Sequence, residues 1–428
     1  MFRTFMALAV LALASPALGS PFDENFHDQT LRMDYFHGGG ASGESIILDR
    51  LLTEGEWPGS RVHLTDQPDY GKYRLVVAAK ATGKSIYEQG FSSLFGEWQT
   101  TDEAKQLSRV FHETVRFPMP RVPFTLTLLS RDHTGALVPI YKQPFDLNPE
   151  TVEKGFRHKD IEVIPLHTGG DSATSLDVVI IADGYTAKQL KKGRADLERF
   201  AKVFLETPPF NRYKKHINLW GILPTAPNTG PDEPRKGIFV GSPVRTSFDT
   251  FGSPRYLTTT RNRTLRDIAA HAPYDAITVI VNTSRYGGAG IYNQFAISIS
   301  DNEYDEYVFM HEFGHSFAGL GDEYYSSSVA YSDFYPKGVE PWEPNITALL
   351  DGPKGLKWSD QVTPNTPIPT PEVSPKYDHA VGAFEGAGYC AKGLYRGAMD
   401  CKMFSKRHID YCPICSKAVE AVLSTFVE

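Results

Sequence analysis

Residues 307–325, YVFMHEFGHSFAGLGDEYY, decide how the C-terminal half of this chain is read. If the stretch is helical, His311 and His315 lie one turn apart on one face, the spacing that lets two imidazoles grip a single metal ion. Glu312 lies beside them, where a base for a metal-activated water belongs. Phe309, Phe313 and Phe317 recur every four residues as a separate stripe, which predicts core packing. Gly319 then ends the helix, and Asp322 and Glu323 bring carboxylates back toward the metal. Catalytic zinc takes three protein ligands and keeps one position for water. Asp322 is the expected third ligand, with Glu323 as the alternative. In the sequence of events this predicts, zinc lowers the pKa of its water, Glu312 takes the proton, and the hydroxide attacks a peptide carbonyl. A long zinc-peptidase motif would continue H-E-x-x-H-x-x-G-x-x-H, but Ala318 occupies the glycine position and Gly321 that of the third histidine. Gly314, His315 and Ser316 begin a serine-hydrolase elbow, which fails at Ala318 and has no strand leading into the serine.

Upstream of this stretch the pattern is alternating strand and helix. Leu176 to Ala182, LDVVIIA, is a continuous apolar run that suits a strand buried on both faces. Thr186 and Gln189 are placed as a capping box, and Leu190, Leu197, Phe200, Ala201 and Phe204 follow a helical period. Ile217 to Leu223 and Ala276 to Val281 supply further strands, so residues 173–428 read as an α/β domain. Gly287, Gly288 and Gly290 precede an apolar run just ahead of the histidines. That run reads either as a strand beside the metal that pairs with an extended peptide or as an ordinary hairpin. The proline-rich stretch 362–375 reads as a stiff loop, at the rim of a cleft or simply on the surface.

Residues 21–150 are β-rich. Gly38, Gly39 and Gly40 sit between two apolar runs as a hairpin would, and the G-x-G-x-x-G they form with Gly43 is read as a turn. Tyr73 to Ala79 and Phe124 to Ser130 have strand composition, with Pro118, Pro120 and Pro123 breaking the chain before the second. A β-sandwich without chemistry is expected here, followed by a linker at 151–172. Ahead of it, Arg3, the apolar MALAVLALA and the small-residue SPALGS have the layout of a secretory signal peptide over residues 1–20. That run is too short to span a bilayer, so no stable membrane insertion is expected.

Basic residues number 44 against 51 acidic ones, a net charge of -7 that argues against nucleic acid as the main partner. The four cysteines, Cys390, Cys401, Cys412 and Cys415, all come late. In an exported chain an even count predicts two disulfides. A structural zinc site is the competing reading, disfavoured because only Cys412 and Cys415 are close in sequence. Asn262, Asn282 and Asn345 each begin an N-x-S/T triplet that matters only where exported proteins are glycosylated.

HEFGHSFAGLGDEYY resembles the zinc helix of the IgA-peptidase family of bacterial metallopeptidases, which are similar to metzincins. LRMDYFHGGG, GFSSLFGEWQTTDEA and FPMPRVPFTLTLLSRD resemble that family's N-terminal β-sandwich domain. VVIIADGYT, NTSRYGGAGIY, VGAFEGAGYC and CKMFSKRHIDYCPIC resemble successive parts of its catalytic domain. The resemblance implies an α+β two-domain chain, a β-sandwich followed by a metzincin-like α/β zinc metallopeptidase domain. It implies that His311, His315 and Asp322 ligate Zn2+, that Glu312 is the general base, and that Met403 in CKMF, with Met399 as competitor, forms the methionine turn under the zinc. Tyr389, Tyr395 and Tyr411 are candidates for stabilising the oxyanion. Two functions of different classes follow: an exported zinc endopeptidase acting on protein or peptide substrates, or an exported binding protein whose peptidase domain is weak.

Overall fold

The computed structural model describes residues 21–66, 68–148, 150, 152–155, 161–326 and 334–427. The expected signal peptide lies outside these residues. The chain starts with the short helix α1 (Pro21–Asn25), β1 (Phe26–Gly40), β2 (Gly43–Thr53), β3 (Tyr73–Ala79), β4 (Ser85–Phe91) and helix α2 (Leu94–Trp98). It continues through β5 (Arg109–Pro120), β6 (Phe124–Arg131), β7 (Leu137–Phe145) and β8 (Glu153–Lys154). These strands make two four-stranded sheets, β5-β1-β2-β8 and β4-β3-β6-β7. Alternate residues of one sheet, Leu31, Met33, Tyr35, Val115 and Phe117, share a core with Leu75, Val77, Leu126 and Leu128 of the other. The period of two in β3 and β6 is what seals that interior. The glycines of 38–43 form the β1–β2 hairpin, in which Gly40 opposes Gly43. β5 runs on through Pro118 and Pro120, which pair with Thr30 and Phe26 at the strand's end, so only Pro123 falls at a break.

The second part begins with β9 (Glu162–His167), which lies in the stretch expected as linker but pairs antiparallel with β11. Its residues Val163 and Ile164 find apolar partners in the sheet's two cores, which draws this piece of the junction into the sheet. There follow β10 (Leu176–Asp183), α3 (Leu190–Glu206), β11 (Ile217–Leu223), α4 (Asn262–Ala269), β12 (Ala276–Val281), β13 (Ala289–Ile291) and β14 (Phe295–Ile299). The six strands run in the order β13-β14-β12-β10-β11-β9, with parallel pairing among β10, β11, β12 and β14. β10 explains the continuous apolar run. Val178, Ile180 and Ala182 face a core shared with α3 and with the helix α5 (Asp305–Ala318), while Val179 and Ile181 face the opposite core with α4. A third sheet of β15 (Ile346–Thr347), β16 (Phe384–Ala387) and β17 (Cys390–Arg396), and a last helix α6 (Pro413–Leu423), complete the chain. Among the described residues no helix is long and apolar enough to cross a membrane.

The two parts share a core. Leu94, Phe95, Trp98 and Phe111 from the N-terminal part pack with Val179, Ile181, Leu265 and Ile268. Polar contacts line its margin: Arg32 reaches Asp267 at 2.7 Å, Asn262 donates to Thr114, and the Arg116 guanidinium lies 3.5 Å from the Tyr274 ring centroid. Asn262, Asn282 and Asn345 are all buried, so none of the three triplets presents an accessible asparagine.

Next to this seam, buried His37 stacks on Phe95 and bridges two carboxylates, Glu113 at 2.8 Å through Nδ1 and Glu44 at 2.8 Å through Nε2. The Tyr73 hydroxyl and Lys72 also face Glu44, and Tyr35 faces Glu113. Burial opposes the imidazolium, but the two glutamates outweigh it and hold His37 up to about 9. The charged form is therefore favoured by folding relative to its ordinary pKa near 6.5. Its contribution, about 3 kcal/mol, is complete below pH ~6.5 and is lost as pH rises through about 9. Thermal unfolding followed from pH 6 to 10 should show this loss in the native chain. A His37→Gln/Glu113→Gln chain should show a flatter profile, and equal slopes would refute the assignment.

Candidate active site and metal centre

α5 carries the histidines where the sequence predicts them. Asp305 and Glu306 occupy its first turn, where negative charge complements the helix dipole, and Arg199 fixes Asp305 at 2.8 Å. Phe309, Phe313 and Phe317 point away from the site into contacts with Phe200, Phe204 and Phe210. Ala318 is the last helical residue, and Gly319 takes a left-handed φ of 60° that a side chain resists. This late stop explains why the carboxylate comes one position beyond the longer histidine motif. The returning chain is clamped by Asn345, whose side chain bonds both the N–H and the carbonyl of Gly321.

Three atoms converge at this point. His311 Nε2 and His315 Nε2 are 3.2 Å apart, and Asp322 Oδ1 lies 3.0 and 3.3 Å from them. Each histidine turns its Nδ1 to a backbone carbonyl, Lys402 for His311 and Leu320 for His315. Those nitrogens must carry the protons, which leaves two Nε2 lone pairs aimed at one another and at a carboxylate oxygen. Without a cation such a triangle is repulsive. Its edges match the ~3.3–3.4 Å expected between donors about 2.0–2.1 Å from a tetrahedral ion. Asp322 Oδ1 has no hydrogen-bond partner in its buried position, whereas Oδ2 accepts from Tyr389. The donor set of two imidazoles and one carboxylate suits zinc.

Electrostatics follow the same geometry. Burial opposes ionisation of Asp322, yet the neighbouring histidines hold its carboxyl well below the usual range. Burial also opposes the His315 cation, but Asp322 and Glu312 hold that imidazole up to about 9. For Glu312 burial dominates and pushes the carboxyl up, against the pull of both histidines. Glu312 lies against the glycine-rich segment, where a Cβ on Gly288 would stand 2.6 Å from its Oε1 and one on Gly290 would stand 2.3 Å from its backbone oxygen. That segment is β13. It is both the edge strand beside the metal and one arm of a hairpin with β14, so the two expectations for it describe the same element.

Glu323 turns the opposite way. It is fully buried, accepts from Asn345 at 3.0 Å and lies against cysteine sulfurs, so it does not compete for the histidine site. Met403 is buried with its sulfur against Gly314, one residue before His315. Of the three candidate tyrosines, only Tyr389 lines the cleft. Tyr411 is buried and donates to the Met310 carbonyl, and Tyr395 lies on β17 opposite Thr347. Sequence reasoning missed Arg255, Tyr286, Tyr307 and Tyr324, which also line the cleft. Their one signal is the tyrosine-rich context of the motif.

The expected disulfides are absent. All four cysteines are free, and the Sγ atoms of Cys401 and Cys415 are 3.7 Å apart, well beyond the ~2.05 Å of an S–S bond. The proline-rich stretch does not line the cleft, because its backbone is tied back to Val381 and Ala383. The cleft itself holds about 1220 Å3 and has walls from both parts of the chain, including Tyr70, Lys72 and Arg131 opposite the histidines.

A family model of IgA Peptidase M64 matches residues 164–379 and 372–423, and a model of the Peptidase M64 N-terminus matches residues 21–142. Among curated proteins, none matches this chain.

Proposed function

Since the chain belongs to the IgA Peptidase M64 family and is thereby a peptidase, we propose that it is an exported, zinc-dependent, metzincin-like endopeptidase in which Glu312 is the general base. The observation that carries this reading is the convergence of His311 Nε2, His315 Nε2 and Asp322 Oδ1 within 3.0–3.3 Å, beside Glu312 and inside the main cleft. His311, His315 and Asp322 would hold the ion, which supplies Lewis-acid polarisation of the scissile carbonyl and acidifies the attacking water. Glu312 accepts the water proton on its carboxylate and returns it to the leaving amine. The Lys402 and Leu320 carbonyls fix both imidazole tautomers, and the Tyr389 hydroxyl fixes Asp322. Tyr389 is placed to offer a hydrogen bond to the developing oxyanion as well. Met403 forms an apolar floor beneath the histidine helix.

The substrate is an extended protein or peptide chain. A cleft of about 1220 Å3 exceeds the ~300–1,000 Å3 of a small-molecule pocket. Edge strand β13 beside Glu312 suits pairing with a substrate main chain. Export rests on the signal-like residues 1–20, and residues 21–150 serve as a wall of the cleft. A chelator is expected to abolish casein cleavage by the purified protein, and added zinc to restore it. Zinc-free protein that cleaves casein regardless of chelator would overturn the reading.

A further inference from the structure

The late cysteines have found different partners from those a disulfide would need. Cys401, Cys412 and Cys415 are buried together with Glu323, and one ligand atom from each of the four lies within 4.8 Å of the others. Cys401 Sγ and Cys415 Sγ are 3.7 Å apart, and Glu323 Oε1 lies 3.1 Å from Cys415 Sγ and 4.0 Å from Cys412 Sγ. A tetrahedral zinc with sulfurs at about 2.3 Å and a carboxylate oxygen at about 2.0–2.2 Å spaces its donors ~3.8 Å for S···S and ~3.5 Å for S···O. Glu323 Oε2 is buried without a hydrogen-bond partner, and a carboxylate in that position needs a cation or a donor.

The local backbone favours thiolates. Cys412 is the residue before α6 and Cys415 lies in its first turn, where the helix dipole stabilises negative sulfur. The Cys412 N–H points at Cys401 Sγ at 3.2 Å, as an amide does toward a metal-bound thiolate. We propose that Glu323, Cys401, Cys412 and Cys415 form a second, structural metal site for a zinc-like divalent ion, separate from the histidine site. Three sulfurs and one oxygen exclude calcium and magnesium, which take oxygen ligands.

The site's place in the fold defines its purpose. Asp322 and Glu323 are consecutive, so one peptide unit joins the two metal sites. Glu323 N–H donates to the Met403 carbonyl at 2.9 Å, and Lys402, between Cys401 and Met403, supplies the carbonyl that orients His311. An ion binding Glu323 and Cys401 therefore pins the methionine segment and the returning carboxylate loop to each other and to α6. The second site sets the geometry of the first without touching substrate.

The test uses the full chain carrying His311→Ala/His315→Ala, so that any remaining ion is not at the catalytic position and peptide hydrolysis is not read. That chain is expected to purify with one zinc and, on exchange with cobalt(II), to show near-ultraviolet sulfur-to-cobalt charge-transfer absorption. Adding Cys412→Ser/Cys415→Ser should remove both the ion and the band. If that combined chain does not fold, the cobalt spectrum of the histidine variant still decides. Zinc-free protein with four reduced thiols and no charge-transfer band would overturn the site, as would an intact mass showing a disulfide. Because only metal content and spectrum are measured, this outcome stands apart from that of the casein experiment.

Discussion

Replacing Glu312 by glutamine is expected to lower peptide hydrolysis by about 10²–10⁴-fold, the range for loss of a positioned general base. Glutamine keeps the size of the side chain, which matters because Glu312 fills a tight space against Gly288 and Gly290 at the edge of the sheet. The three ligand atoms belong to other residues, and their supporting bonds run to Lys402, Leu320 and Tyr389. Zinc content should accordingly stay at the native level while kcat falls. Steady-state kinetics on a fluorogenic peptide, paired with metal analysis of the same sample, separates loss of the base from loss of the ion. A glutamine variant within a few-fold of native kcat would remove Glu312 from the mechanism.

The parts of this chain that were legible in sequence are those decided by local pattern. β10, β11 and β12 are apolar runs with turn residues at their ends, and their bounds come within a residue of the expected ones. The phenylalanine stripe and the histidine pair lie on different faces of α5 because a four-residue repeat fixes them there. What could not be read depends on contacts distant in sequence. Whether Asp322 or Glu323 turns toward the histidines is settled by Asn345, Cys415 and Tyr389, none of them near in sequence. The cysteine count pointed to disulfides because the fourth member of the cluster is a glutamate some eighty residues upstream, which no cysteine spacing reveals. β9 was hidden in a polar junction because an edge strand is only half-buried and lacks a continuous apolar run.

Asp322→Asn is the sharpest test of the metal centre, since it changes one atom of a side chain whose two oxygens have different tasks. Oδ1 faces both Nε2 atoms, while Oδ2 accepts from the Tyr389 hydroxyl. The amide can preserve one of these contacts but carries no charge, so the ligand set changes from anionic to neutral. Removing a supporting partner of a metal ligand typically costs ~10–100-fold in affinity. Tyr389→Phe is expected within that range, and Asp322→Asn to weaken zinc binding beyond it. Competition with a metallochromic chelator measures both affinities directly, and the order of the two losses carries the argument. If the ion were held by the histidines and Glu323, Asp322→Asn would bind zinc as tightly as the native chain. The burial of Glu323 among three sulfurs is the physical reason to expect otherwise.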